Sequence, residues 1–263
     1  MTAEDPGALL GLALEIAGEA SAVLRAAAGR ADLHIDRKSS VTDLVTEIDH
    51  AVEALVTDRI GQARPGDAIL GEEGADRPGT TGIRWVVDPI DGTTNFVYGM
   101  PGYAVSIAAE RSCVPLIGVV AVPALGETFT AVAGGGARCN GESIRASSKA
   151  ELATALIGTG FSYDAGRRAS QGTVVAALLP RIRDVRRMGA ASVDLCAVAC
   201  GRLDGYYESG LAPWDWAAGA LIAAEAGAIV TGLHGGPPSR TSLVAAGSDL
   251  HELLCSTLVD LGA

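Results

Sequence analysis

Apolar residues recur at helical spacing from the start of the chain. Leu9, Leu12, Ile16 and Val23 predict a helix opened by Asp5-Pro6, with Pro at its first position, and running to about Ala28. A second helix is expected from about Glu47 to Gly61. Short apolar or β-branched runs at residues 68–70 and 84–87 read as buried strands. Three extended runs follow, residues 103–109, 116–122 and 127–132, punctuated by Gly and Pro like an antiparallel sheet. Gly134-Gly135-Gly136 lacks the lysine and following helix of a phosphate-binding loop, so it reads as a hairpin connection.

A second half begins near Ser148. Its pattern predicts a strand at 155–160, a helix at 171–179 and a basic strand at 182–187 whose charges read as a solvated face. A helix opening at Gly189-Ala190-Ala191-Ser192 ends at the C-cap Gly201. A strand at 204–208, an Ala-rich helix at 214–226, a strand at 243–246 and a helix at 249–261 complete the chain. Long helices and extended runs alternate without βαβ regularity, which favours α+β layers over a doubly wound sheet.

The strand at 84–87 leads into Asp88-Pro89-Ile90-Asp91-Gly92-Thr93-Thr94-Asn95-Phe96. Pro89 forces an extended or turning backbone, which lets Asp88 and Asp91 converge as hard oxygen ligands for a divalent cation. Gly92-Thr93-Thr94 then offers unhindered N–H groups and hydroxyls, an anion site if a helix begins there. A cation and a phosphate side by side suggest phosphoryl chemistry. Taken alone, the stretch is equally a strand followed by a tight turn. Three further segments keep it company: Gly71-Glu72-Glu73-Gly74 after an apolar run, Trp214-Asp215-Trp216-Ala217-Ala218-Gly219 at the start of a helix, and the stretch from Lys38 to Asp49. Glu72 and Glu73 are adjacent, so on extended backbone they point to opposite faces and one of them is the direct ligand. Asp49 falls in the first turn of its helix, where capping also favours a carboxylate.

Composition narrows the classes. In 263 residues, 19% are charged and 48% hydrophobic, enough apolar material for a sizeable core and too little charge for disorder. A formal charge of -11 argues against an electrostatic nucleic-acid surface, and an acidic protein that binds phosphate needs bound cations to reverse the local field. The acidic N-terminus has no signal-peptide pattern and no uninterrupted apolar run marks a membrane span, so a cytoplasmic protein is expected. The 5 cysteines lack a C-x-x-C pair, and Cys196 and Cys200 read as small buried hydrophobes. The 4 histidines are scattered, which makes a zinc site improbable.

The four segments together resemble the inositol monophosphatase family of magnesium-dependent, lithium-sensitive phosphatases, from about Lys38 to Gly227. The resemblance implies a layered αβαβα sandwich of the inositol monophosphatase and fructose-1,6-bisphosphatase type. It implies a single phosphatase domain over residues 1–263, in which about 1–147 carry most metal ligands and about 148–263 carry substrate contacts and Asp215. It also implies a homodimer. On this likeness Glu72, Asp88, the Ile90 carbonyl, Asp91 and Asp215 hold two or three Mg²⁺ ions. Asp49, Glu72 and Thr93 handle the attacking water, with Glu73 and Thr94 in support. Gly92, Thr93 and Lys38 lie at the phosphate, and Asp91, Gly189, Ala190, Ala191 and Glu208 face the alcohol. Lys38 also reads as a solvated loop lysine.

No cysteine or histidine belongs to the motifs, so metal-assisted attack by water is preferred to a covalent route. Animal members carry a histidine where this chain has Ala212, and Gly-Thr-Ala where it has Gly189-Ala190-Ala191. Both departures fall on the alcohol side. The forms around Arg186 and Tyr206 lean towards the bacterial inositol-monophosphatase branch, hence myo-inositol monophosphate as the expected substrate. Fructose 1,6-bisphosphate, nucleotide 3′-phosphates and histidinol phosphate are the alternatives within the family. A non-catalytic, transcription-associated protein on the same scaffold is the alternative of another class. The partner expected is a small phosphate monoester, with neither membrane nor direct nucleic-acid binding.

Overall fold

The structure, a computed structural model, describes residues 5–30, 33–38 and 42–263. Ser39, Ser40 and the acidic first residues therefore lie outside the described residues. The helices are α1 (Pro6–Ala27), α2 (Glu47–Ala63), α3 (Thr93–Val97), α4 (Ala165–Leu178), α5 (Ala191–Ala199), α6 (Pro213–Glu225) and α7 (Ser248–Asp260). The strands of the first half are β1 (Ile35–Arg37), β2 (Leu44–Thr46), β3 (Ala68–Gly71), β4 (Asp76–Arg77), β5 (Ile83–Asp91), β6 (Ala104–Arg111), β7 (Val114–Val122), β8 (Glu127–Val132), β9 (Ala137–Cys139) and β10 (Glu142–Ser143). Those of the second half are β11 (Leu156–Thr159), β12 (Asp184–Arg186), β13 (Gly205–Glu208), β14 (Ala228–Thr231) and β15 (Leu243–Gly247).

Two larger sheets organise these elements. An 8-stranded sheet runs in the order β10-β9-β8-β7-β6-β5-β3-β4, antiparallel except for the β3–β5 pair. A 5-stranded sheet runs β12-β11-β13-β15-β14, with β11 parallel to both β12 and β13. Side chains alternate along the central strands as the pleat requires. Trp85 and Val87 enter a core against α1 and α2, while Val86 enters a core shared with α5 and α6. The far face of the 5-stranded sheet packs on α4 and α7 through Ile157, Val174, Val244, Leu250 and Leu254. The layers are thus α1/α2, sheet, α5/α6, sheet, α4/α7, an αβαβα sandwich.

The middle layer explains a sequence oddity. All residues of α5 are buried, and α6 buries Ala217 through Ala223, because these helices are covered by sheets on both sides. Helices covered all round need small apolar residues rather than an amphipathic stripe.

Differences from expectation are local. Helix α4 starts at Ala165 rather than near Gln171, because Asp164 accepts a hydrogen bond from the Arg167 N–H at 2.8 Å and caps it there. Strand β14 was not anticipated, nor were the parallel pairs of the second sheet. Gly134 and Gly136 donate their N–H groups to the Glu225 carboxylate at 2.7 and 2.8 Å, so this turn is anchored to α6. Helix α1 is long and apolar enough to cross a membrane by composition. Its Leu9, Ala13, Ile16, Ala20 and Leu24 instead fill the first core.

Candidate active site

Asp88 and Asp91 are three residues apart, and on a regular strand they would face opposite sides. The β5–β6 pairing shifts register between Asp88 and Asp91, a bulge at Pro89-Ile90 that re-aims the strand end. Both carboxylates are buried and line one cavity of about 100 Å³, together with Glu72, Glu208 and Asp215. Glu72 arrives from the bend after β3, Asp215 from the first turn of α6 and Glu208 from the end of β13. Ile90, Gly92, Thr93, Gly189, Ala190 and Ala191 complete the expected set at this wall.

Each carboxylate is fixed by one oxygen. Asp88 Oδ1 accepts from the Ile90 N–H at 3.0 Å, Asp91 Oδ2 from the Ser192 N–H at 2.7 Å, and Asp215 Oδ2 from the Ala212 N–H at 2.6 Å. The Ser192 bond ties β5 to the start of α5, far along the chain. Gly92, in left-handed conformation at φ 89°, caps α3, and a Cβ there would stand 2.8 Å from the Gly102 carbonyl oxygen. Asn95 holds the same corner by donating to the carbonyls of Gly102 and Met188, at 2.5 and 2.8 Å.

Behind the metal-type carboxylates sits a hydroxyl–carboxylate pair. Thr93 Oγ1 lies 2.9 Å from Asp49 Oδ1 and 3.0 Å from the Ile90 carbonyl oxygen. Asp49 also accepts from the Thr46 N–H at 2.7 Å and from the Thr46 hydroxyl at 2.6 Å. Capping of α2 and contact with the site are therefore served by the two oxygens of one side chain. Asp49 is wholly buried, and burial raises its pKa against the opposing bonds from Thr46 and Thr93.

Electrostatics mark this as a crowded acidic hollow. Burial pushes Asp88 well above the ordinary carboxylate range, and Glu72, Asp91 and Asp215 push it further. Burial likewise lifts Asp91 to about 6, with the Ser192 contact opposing and Glu72 assisting. Asp215 is raised well up by burial, then by Asp91 and Glu72. Burial brings Glu208 to about 7. Among the described residues, no three His, Cys, Asp or Glu side chains already form a closed set of metal ligands. Glu72 is turned aside instead, accepting from Lys38 Nζ at 2.8 Å. The donor chemistry fits a hard divalent cation all the same: oxygen atoms only, with Asp88, Asp91 and Asp215 raised in pKa by burial and then by their neighbours.

Two expectations need correction, and one alternative falls. Glu72 and Glu73 do not diverge, because they lie in a bend beyond β3, and Lys38 Nζ reaches both, Glu73 at 2.5 Å. Glu72 lines the cavity; the Glu73 backbone N–H is held by Glu53 Oε2 at 2.8 Å. Lys38 is engaged by these two glutamates and is not a solvated lysine. Arg186 pairs with Asp184 on the surface as the charge run suggested, but Arg187 turns to the cavity rim.

Sequence reasoning missed Glu53, buried on α2, whose carboxylate also accepts from the Ala75 N–H at 3.0 Å and so shapes the Glu72 bend. Its only signal was a charge on the buried face of a helix. Thr94 is half-buried beside the site, and the Tyr163 hydroxyl is in contact with it.

The inositol monophosphatase family matches residues 6–263. The inositol-1-monophosphatase of Mycobacterium leprae (strain TN) is 46% identical over 264 residues, 92% of this chain and 90% of that protein. The Nus factor SuhB of Pasteurella multocida (strain Pm70) is 41% identical over 242 residues, 90% of this chain and 91% of that protein. The crystal structure of the extragenic suppressor protein suhB from Bartonella henselae superposes with a TM-score of 0.91 at 33% identity, covering 95% of this chain and 98% of that one.

Proposed function

The chain belongs to the inositol monophosphatase family, and on that premise we propose that it is a Mg²⁺-dependent phosphomonoesterase hydrolysing myo-inositol monophosphate. The observation that carries this reading is the convergence of Glu72, Asp88, Asp91 and Asp215, from segments far apart in sequence, beside the Asp49–Thr93 pair. A purely structural hollow has no use for four converging, mutually repelling carboxylates, of which Asp88 and Asp91 are buried.

Glu72, Asp88, Asp91, Asp215 and the Ile90 carbonyl would hold two or three Mg²⁺ ions, which when bound supply positive charge to the attacking and leaving oxygens. Thr93 orients the attacking water through its hydroxyl, and Asp49 stands behind that hydroxyl to take up the proton. Glu72, at the edge of the same hollow, shares in aligning the water. The N–H groups of Gly92 and Thr93, with the Lys38 ammonium, hold the phosphate oxygens. Glu73 and Thr94 support this framework. Gly189, Ala190, Ala191, Asp91 and Glu208 form the wall for the alcohol. The enzyme works as a cytoplasmic homodimer, and lithium inhibits it.

Phosphate release from a panel of monoesters, with and without Mg²⁺, tests the reading. Turnover of inositol monophosphate that needs Mg²⁺ is the expected result. Faster turnover of fructose 1,6-bisphosphate, a nucleotide 3′-phosphate or histidinol phosphate would replace the substrate but keep the chemistry. No turnover on any of them would favour the second reading, a transcription-associated protein, which the relative named Nus factor SuhB brings into view.

A further inference from the structure

Glu208 ends β13 on the alcohol wall of the cavity, its carboxylate bonded by Tyr206 and abutted by Gly160 of the neighbouring strand's end. Tyr206 lies two residues earlier and so on the same sheet face. It is fully buried and donates its hydroxyl to Glu208 Oε2 at 2.5 Å. The second support comes from β11, the parallel neighbour, kept in register where the Thr159 hydroxyl donates to the Tyr207 carbonyl at 2.9 Å. Just past β11, Gly160 lies flush against the carboxylate. A Cβ at Gly160 would stand 1.9 Å from Glu208 Oε2 and 2.2 Å from Oε1, so any larger residue would push the carboxylate out of this place.

A phenol with its one proton committed to Oε2 leaves Oε1 free to accept from another donor. A carboxylate braced this way loses little rotamer freedom when it meets a hydroxyl. Arg187, Asp91, Asp194 and Asp215 are the charged groups that face it.

We propose that Tyr206 and Gly160 are positioning residues that seat Glu208 to read hydroxyl groups on the alcohol, making polyol phosphates preferred over esters whose alcohol bears none. The proposal rests on the phosphatase reading of the same cavity.

Steady-state kinetics of Tyr206→Phe and Gly160→Ala on myo-inositol 1-phosphate and on phenyl phosphate, both with Mg²⁺, test it. Each variant is expected to raise KM for the inositol ester about tenfold, the scale of a lost hydrogen bond to a charged group. KM for phenyl phosphate should stay within about twofold, with kcat kept on both esters. Equal losses on the two esters, or an unchanged KM for the inositol ester, would overturn the proposal. Thermal melts identify a variant that fails to fold, and the other then decides.

Inactivity of the parent chain on both esters would sink the phosphatase reading rather than the seat. The seat is then decided by a crystal structure of Tyr206→Phe, in which the Glu208 carboxylate should leave the place it holds against Gly160. A carboxylate in the same place would overturn it.

Discussion

Replacing Asp91 by Asn should make the metal-free protein more stable while disabling it. The carboxyl is buried, and its pKa is raised from 3.8 to about 6 in the folded chain. A folded pKa above the unfolded one means that the ionised form is disfavoured by folding. The penalty is absent below pH 3.8, grows as pH rises between 3.8 and about 6, and is complete above that. A shift of this size corresponds to about 3 kcal/mol at neutral pH, as an upper bound, because neighbouring carboxyls can share the burden by taking up a proton. Asparagine keeps the volume and an oxygen for the Ser192 N–H, and it removes the charge. Thermal melts at pH 7.5 in excess chelator should therefore show a gain of up to ~10 °C over the parent, and near pH 4 almost none. Saturating Mg²⁺ should raise the parent's Tm and do far less for the variant, reversing the order of stability. Equal or lower stability of the variant at pH 7.5 in chelator would refute the electrostatic account of the hollow.

The remaining expectations concern the supports around that hollow. Thr93→Ala should lower kcat at least about 10²-fold with KM little changed, measured by phosphate release, since it removes the hydroxyl proposed to orient the water. Glu53→Ala frees the N–H groups of Glu73 and Ala75, and should raise the Mg²⁺ concentration for half activity about 10- to 100-fold, as loss of a ligand's support does. Gly92→Ala forces a side chain into left-handed backbone against the Gly102 carbonyl, and urea unfolding should show a loss of about 2 kcal/mol or more.

What could be read from sequence was whatever had a local period or a local turn. The first helix, the three antiparallel runs and the Ala-rich helix declared themselves by spacing and punctuation, and the carboxylate segments by residue type. The Asp88–Asp91 pair was legible because Pro89 breaks the regular pleat, although the bulge itself is visible only against β6. Long-range partners left no such trace. Tyr206 resembles any strand aromatic until Glu208 is found under its hydroxyl. Asn95 resembles a turn residue until it bridges two loops. Glu72 and Glu73 were misjudged for a related reason, since alternation holds only while the strand continues, and β3 stops at Gly71. Arg187 was hidden in a charge run whose neighbour does sit in solvent.

The contact between Asp91 and the Ser192 N–H also bears on the order of events at the ribosome. The segment that brings Asp88 and Asp91 is synthesised more than a hundred residues before Asp215, and the anchor of Asp91 at the start of α5 emerges only shortly before it. A nascent chain halted before Ser192 would carry Glu72, Asp88 and Asp91 with no helix start to brace Asp91 and without Asp215 opposite. The four carboxylates of the proposed metal site are thus complete only in the last quarter of translation.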